Sequence, residues 1–297
     1  MQTKSQISNE TKGMLLGLLG VIAFSLTLPA TRAAVEFLHP LFISSGRVVV
    51  AAILAGIYLV ASRSRRPSRQ ELKSLAAVAL CVAAGFPILT AIAMQYVDAS
   101  HGGVMLGILP LSTAAAGFAF AHERPSRRFW LLAIIGSAAV VSFSLLKSGG
   151  APHIADLALI GAVIITSMGY AIGARLTRTL GGLQVISWAL VLIAPIMIVP
   201  AIITAPDCAL IPTRAWVAFA YVAAISQFLG FLPWYQGLAL GGVAKVGQTQ
   251  LLQPFFTFAA AAWLLGETID LVTIVFALIV VAIVAAGRGS AVVRRSD

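Results

Sequence analysis

The sequence predicts an all-α membrane protein: ten transmembrane helices arranged as two inverted five-helix repeats, with both termini cytoplasmic. Three observations predict it. The 297 residues are 60% hydrophobic and only 10% charged, with mean hydropathy +0.98; a soluble domain carries about 25% charged residues. The chain also repeats itself. Leu251–Glu267 reads LLQPFFTFAAAAWLLGE and Gly107–Glu123 reads GILPLSTAAAGFAFAHE, so Pro254 falls on Pro110 (254 − 110 = 144) and Glu267 on Glu123. Finally, the cations cluster between the apolar runs, on alternate sides of successive spans.

The first span, Gly13–Thr31, follows Lys4 and Lys12. It is long for a signal-peptide core and Arg32 interrupts the cleavage zone, so it reads as a retained helix. The second, Pro40–Ala61, carries Arg47 about 10 Å deep at 1.5 Å per residue. The third, Leu75–Val97, contains Pro87 and ends near Gln95 and Tyr96. The fourth, His101–Ala121, has the stripe His101, Met105, Leu109, Thr113; the fifth is Phe129–Lys147. The sixth, Asp156–Ala174, holds a GxxxG from Gly169 to Gly173, a close helix contact with Tyr170 inside it. The seventh, Leu183–Ala205, starts near Trp188, and the eighth, Ala215–Ala239, places Gln227, Phe231 and Trp234 on one face beside Pro233 and Tyr235. The ninth, Ala244–Leu265, repeats Lys245, Thr249, Gln253 and Thr257 every four residues, flanked by Gln248 and Gln250. The tenth, Asp270–Gly287, is apolar all round, as a supporting helix would be. The two units are residues 13–147 and 156–288, with tails 1–12 and 289–297. Continuous apolar runs of this length are helices rather than barrel strands, because each helix satisfies its own backbone in lipid.

With the N-terminus inside, the cytoplasmic segments hold all the Lys and Arg except Arg32, Arg47, Lys147 and Arg214. An odd number of spans per unit turns the second unit upside down. Inverted repeats of this kind build secondary transporters, with the solute site near the midplane between them.

Polar residues inside lipid face a cavity or a neighbouring helix. The cavity candidates are therefore Arg47, Tyr96, His101, Tyr170, Gln227, Trp234, Tyr235, Lys245, Thr249, Gln250 and Gln253. Each has a plainer reading. The glutamines can join helices, the aromatics can pack, and Tyr96 and Trp188 can anchor at the interface. Arg47 has three fates: it meets a substrate carboxylate, pairs with Glu36 or Asp98, or snorkels outward. Arg32 and Glu36 are four apart and suited to a local pair.

Pro110 with His122–Glu123, and Pro254 with Gly266–Glu267, give each repeat a mid-run proline and a terminal Gly-Glu-like pair. In this the chain resembles the drug/metabolite transporter superfamily, in its ten-helix EamA-domain branch; His122 departs from the usual Gly. The resemblance covers nearly the whole chain and includes bacterial exporters of amino acids, an aromatic amino-acid exporter among them. It implies that spans 1–4 and 6–9 line a central cavity while spans 5 and 10 stand outside. It places the chain in the inner membrane. The ninth-span stripe offers hydrogen-bonding groups where the fourth offers apolar ones, which suits a small amphipathic solute as partner, and the GxxxG allows an internal contact in a monomer or a dimer.

Other classes fit poorly. No basic helix is interleaved with aromatics for nucleic acid. His122–Glu123 opens like HExxH, but Ser126 stands where the second His belongs, and no GxSxG occurs, so no enzyme is expected. Cys81 and Cys208 offer neither a disulfide framework nor metal spacing, and no cofactor is expected. Asp98, Asp156, Glu267 and Asp270 all lie at span ends. Without a mid-membrane carboxylate, a proton-driven carrier and a quaternary-cation exporter, the rival reading, both lack their usual anchor.

Overall fold

The computed structural model describes residues 8–121, 123–148, 154–266, 271–287 and 292–294. His122, Glu267 and Asp270 lie outside the described residues, as do most of both tails.

Local sequence explains where the helices start and bend. α1 (Asn9–Ser25) begins at Ser8, whose hydroxyl caps Thr11 N, and continues past a break at Leu26 into α2 (Thr27–Val35). α3 (Pro40–Ala61) starts with Pro at its first position and His39 as cap. α4 (Arg69–Val78) opens with a full capping box between Ser68 and Glu71, six residues before the expected Leu75. It runs through a π-helical turn at Ala79–Gly85 into α5 (Phe86–Ala93). α6 (Ala99–Met105) and α7 (Leu109–Phe120) are joined by a 3₁₀ turn at Leu106–Ile108. A short strand β1 (Glu123–Pro125) leads to α8 (Arg127–Ser148). α9 (Ile154–Leu180) and α10 (Gly182–Ile203) follow, hinged at Gly181, whose φ of 87° suits glycine. α11 (Thr213–Ala220) passes through a second π turn at Tyr221–Leu229 into α12 (Phe231–Gly241). α13 (Val243–Gly247) passes through a 3₁₀ turn at Gln248–Leu252 into α14 (Gln253–Leu265), and α15 (Leu271–Gly287) precedes strand β2 (Val292–Arg294). Among the described residues, seven segments are long and apolar enough to cross a membrane. The paired strands β1 and β2 are an element the sequence reading did not contain; they join antiparallel, Glu123 opposite Arg294.

The irregular turns recur with the repeat. The π turns fall in the third and eighth spans, and the 3₁₀ turns precede Pro110 and Pro254 in the fourth and ninth. Each frees backbone carbonyls from the regular ladder. Such backbone survives at membrane depth only where protein or a cavity satisfies it.

Contacts sort the loops into two ends. At one end lie Glu10 paired with Lys245 at 2.6 Å, Glu123 against α13, and Arg175 donating to Phe120 O at 3.0 Å. At the other, Arg32 meets Asp98, Arg214 meets Glu36, and His101 meets Asp156. Arg32 and Arg175, equivalent in the repeat (175 − 32 = 143), thus sit at opposite ends.

α1 packs along α12 through glycines on both helices. A Cβ built on Gly237 would lie 2.7 Å from Gly13 O, and one on Gly13 2.5 Å from Gly241 N. The backbones touch, so dispersion contacts hold the pair where lipid offers no hydrophobic drive. The GxxxG at Gly169 and Gly173 instead receives Val82 and the ring of Tyr235.

Gly237→Val is expected to wedge α1 from α12 and cost about 1–3 kcal/mol or more. A lowered melting temperature and loss of the monodisperse peak in detergent check this.

Candidate solute-binding site

The broken helices converge on a small cavity in the centre of the bundle. Its volume is only about 20 Å³, room for one water. Three pairs of its lining residues are repeat equivalents: Thr27 and Tyr170 (170 − 27 = 143), Val82 and Ser226 (226 − 82 = 144), Leu109 and Gln253 (253 − 109 = 144). Equivalent positions of the two repeats thus meet at the cavity. In two of the pairs one half supplies an apolar group and the other a hydrogen-bonding one.

One wall is polar. Arg47 is 2% exposed and donates from Nη2 to Ser226 Oγ at 2.9 Å. Ser226 Oγ in turn lies 2.8 Å from Thr27 Oγ1. Gln227 donates from Nε2 to Ala83 O at 2.9 Å, bridging one π turn to the other. Arg47 Nε and Thr166 Oγ1 are buried without partners. The opposite wall is aromatic: Phe24 and Phe231 approach to 4.8 Å between ring centres, and Tyr170 stands 5.1 Å from Trp234 and 6.3 Å from Phe231. Among the described residues neither Asp nor Glu lines the cavity.

Two of the three fates of Arg47 are thereby removed. Glu36 pairs with Arg214 and Asp98 with Arg32, each at 3.7 Å, and a side chain this buried does not snorkel. A guanidinium taken out of water with no opposing carboxylate costs several kcal/mol, about the penalty of any uncompensated buried ion.

The structure brings Arg47, Tyr170, Gln227 and Gln253 together around the cavity. Trp234 and Tyr235 are fully buried one layer behind it, with Trp234 Nε1 unpartnered. The remaining candidates lie elsewhere. Tyr96 is 61% exposed, where an interfacial anchor belongs. His101 Nε2 is 2.6 Å from Asp156 at one end, and Lys245 is paired with Glu10 at the other. Thr249 bonds its own helix at Val246 O, and Gln250 accepts from Thr113 Oγ1 at 3.0 Å, a helix-to-helix contact. The stripe on the ninth span is thus split by the 3₁₀ turn, which rotates Gln253 to the cavity and leaves Lys245 and Thr249 apart. Sequence reasoning missed Thr27, Thr166 and Ser226. Lone hydroxyls in apolar helices usually bond the preceding turn, and only the repeat register would have marked Thr27 and Ser226.

A second buried charge closes one end. Glu123, 1% exposed, accepts from Val243 N and Ala244 N, both at 2.7 Å, at the start of α13. A carboxylate there satisfies two orphan amides and meets the positive end of the helix. Beside this end is an open, basic recess of about 830 Å³ lined by Arg65, Lys73 and Arg175 around Glu71 and Thr179. Glu71 binds Arg65 through both oxygens, at 2.9 and 2.6 Å, and these hydrogen bonds, with its negative charge behind them, raise the Arg65 pKa.

Long apolar helices, broken in matching places around a buried polar and aromatic cavity, define a multi-pass membrane transporter fold. The model of the EamA-like transporter family matches residues 11–145 and again 153–286. The chain belongs to this family. An uncharacterized transporter of Bacillus subtilis, YdeK, is 42% identical over 283 residues, 95% of this chain and 99% of that protein. A second from the same organism, YyaM, is 23% identical over 88% of this chain and 90% of its own length. A solved crystal structure superposes with TM-score 0.75 at 15% identity, over 93% of this chain and 97% of its own; at that identity it speaks for the fold.

Glu123→Ala is expected to lower stability by about 1–3 kcal/mol by orphaning two buried amides. Glu123→Gln, which keeps one acceptor, loses less. Melting temperatures of the two variants in detergent rank them.

Proposed function

We propose that this protein is an inner-membrane secondary transporter that exports amino acids by alternating access between two inverted five-helix units, residues 13–147 and 156–288. On this reading α8, α13–α14 and α15 are also spans, making ten, and both termini face the cytoplasm. The positive-inside distribution supports that orientation: the end holding Lys245, Arg175 and Arg124 is the basic one. The observation that carries the function is the central cavity, built from repeat-equivalent residues and offering a cation, amides, hydroxyls and aromatic rings at once. A solute with charged and apolar parts suits that lining. At about one water's volume the cavity accepts such a solute only as the two units part.

The aromatic wall of Phe24, Tyr170 and Phe231 favours a second reading, export of a quaternary cation. Arg47 opposes it, since a cationic drug would share the cavity with a buried guanidinium. The absence of Asp and Glu from the lining also argues for exchange or facilitated flux rather than proton coupling.

Counterflow into proteoliposomes across a panel of amino acids tests the function. Saturable flux insensitive to an imposed pH gradient is expected, and strict dependence on that gradient would overturn the coupling. Gln253→Ala should raise KM about tenfold, some 1.4 kcal/mol of lost binding, without changing the melting temperature.

A further inference from the structure

We propose that Arg47 is the docking cation for a solute carboxylate, and that this carboxylate, rather than any ammonium, is what the site selects. The inference rests on the transport reading above and names its substrate class: small monocarboxylates with an apolar or aromatic side group, with or without an amine.

Four observations carry it. Arg47 is a full charge, 2% exposed, in the interior of a membrane helix. The acids within its sequence neighbourhood are engaged elsewhere, Glu36 with Arg214 and Asp98 with Arg32. Its Nη2 has only the neutral Ser226 hydroxyl, and its Nε has nothing. The same cavity contains Thr166, whose hydroxyl is also unpartnered, and is walled by Phe24, Tyr170 and Phe231. Guanidinium and carboxylate match in geometry and charge, and one cation balances one carboxylate. A phosphate dianion would need a second cation, and the lining has none. Nor does the lining hold an Asp or Glu for an ammonium group, so the amine of an amino acid is tolerated without being read.

A buried charge retained for structure would have a partner whose removal destabilises the fold. A charge retained for a ligand has none, so its neutral replacement leaves stability intact. The two roles therefore differ in two independent measurements.

The first compares phenylalanine, 3-phenylpropionate (no amine) and phenylalaninamide (no carboxylate) as competitors of labelled phenylalanine counterflow. The two acids should compete and the amide should not. The second compares wild type with Arg47→Gln and Arg47→Lys. Arg47→Gln should weaken phenylalanine at least tenfold with the melting temperature equal or higher, and Arg47→Lys should retain part of the affinity. Transport in which the amide competes as well as the acids, or in which Arg47→Gln keeps its KM, would overturn the docking role and leave the transporter reading standing. If no phenylalanine flux occurs, the same three compounds are tested for stabilisation of the purified protein against heat. A shift with the two acids, lost in Arg47→Gln, keeps the site and overturns amino-acid transport. No shift with either acid overturns the docking role, as does a melting temperature lowered by Arg47→Gln.

Discussion

The bundle depends on one constraint: inside a membrane every backbone group that leaves the helical ladder must find a partner within the protein. Among the described residues the chain leaves the ladder at the Leu26 break, at the π turns of Ala79–Gly85 and Tyr221–Leu229, at the 3₁₀ turns before Pro110 and Pro254, and at Pro195 and Pro200 inside α10. At two of these places a side chain of the other half meets the irregular backbone. Gln227 donates from one π turn to Ala83 O in the other, and Thr257 Oγ1 donates across to Ser25 O beside the α1–α2 break at 2.9 Å. Irregular backbone in one repeat is thus tolerated because the other repeat is there to bind it. The halves meet where they are least regular, and the cavity lies at that meeting.

Charges obey a similar economy. Acidic and basic side chains sit at the ends of the bundle, where they pair with one another or cap a helix. Arg65 with Glu71, Lys245 with Glu10 and Arg214 with Glu36 are of this kind. Glu123 shows one way a buried carboxylate is held, by two amides at the start of a helix. Arg47 has no comparable arrangement. Glu123 is held by two main-chain amides of this chain, whereas among the described residues the Arg47 guanidinium has the Ser226 hydroxyl and an unpartnered Nε.

Much of this was legible in the sequence. Composition and run length give the helical membrane class, and the self-similarity of residues 107–123 and 251–267 gives the two units, because hydrophobic length and repeated prolines are local properties. Arg47, Tyr170, Gln227 and Gln253 could be singled out as polar or aromatic residues at membrane depth. Helix phase could not be read through the turns. A π or 3₁₀ turn rotates everything after it, so the four-residue stripe from Lys245 to Thr257 does not share one face. His101 lies in the first turn of α6, at the end of the bundle, and there reaches Asp156 rather than the cavity. Gly13 and Gly237 escaped notice because their partner is another glycine backbone on a distant helix, a contact with no local signature.

The two ends of the bundle are held shut by different physics, and this bears on how a carrier would move. At the end holding α13, closure uses Glu123, buried and bound to two amides, and Lys245 paired with Glu10 where the lysine is nearly buried. At the other end Arg214 with Glu36 is a long contact between exposed groups of the two units, while Arg32 with Asp98 lies within the first unit. Exposed pairs of that kind contribute about 0–1 kcal/mol each, whereas stripping a buried amide of its acceptor costs about 1–3 kcal/mol. His101 with Asp156 is both short and shielded on that side. Parting the units there would break the shielded His101–Asp156 pair and the exposed Arg214–Glu36 pair, while parting them at the Glu123 end would require that water or another group replace the carboxylate at the start of α13. The asymmetry follows from the sequence itself: Glu123 is followed by the basic run Arg124 to Arg128, which holds that end at the membrane surface where water is available to make the exchange.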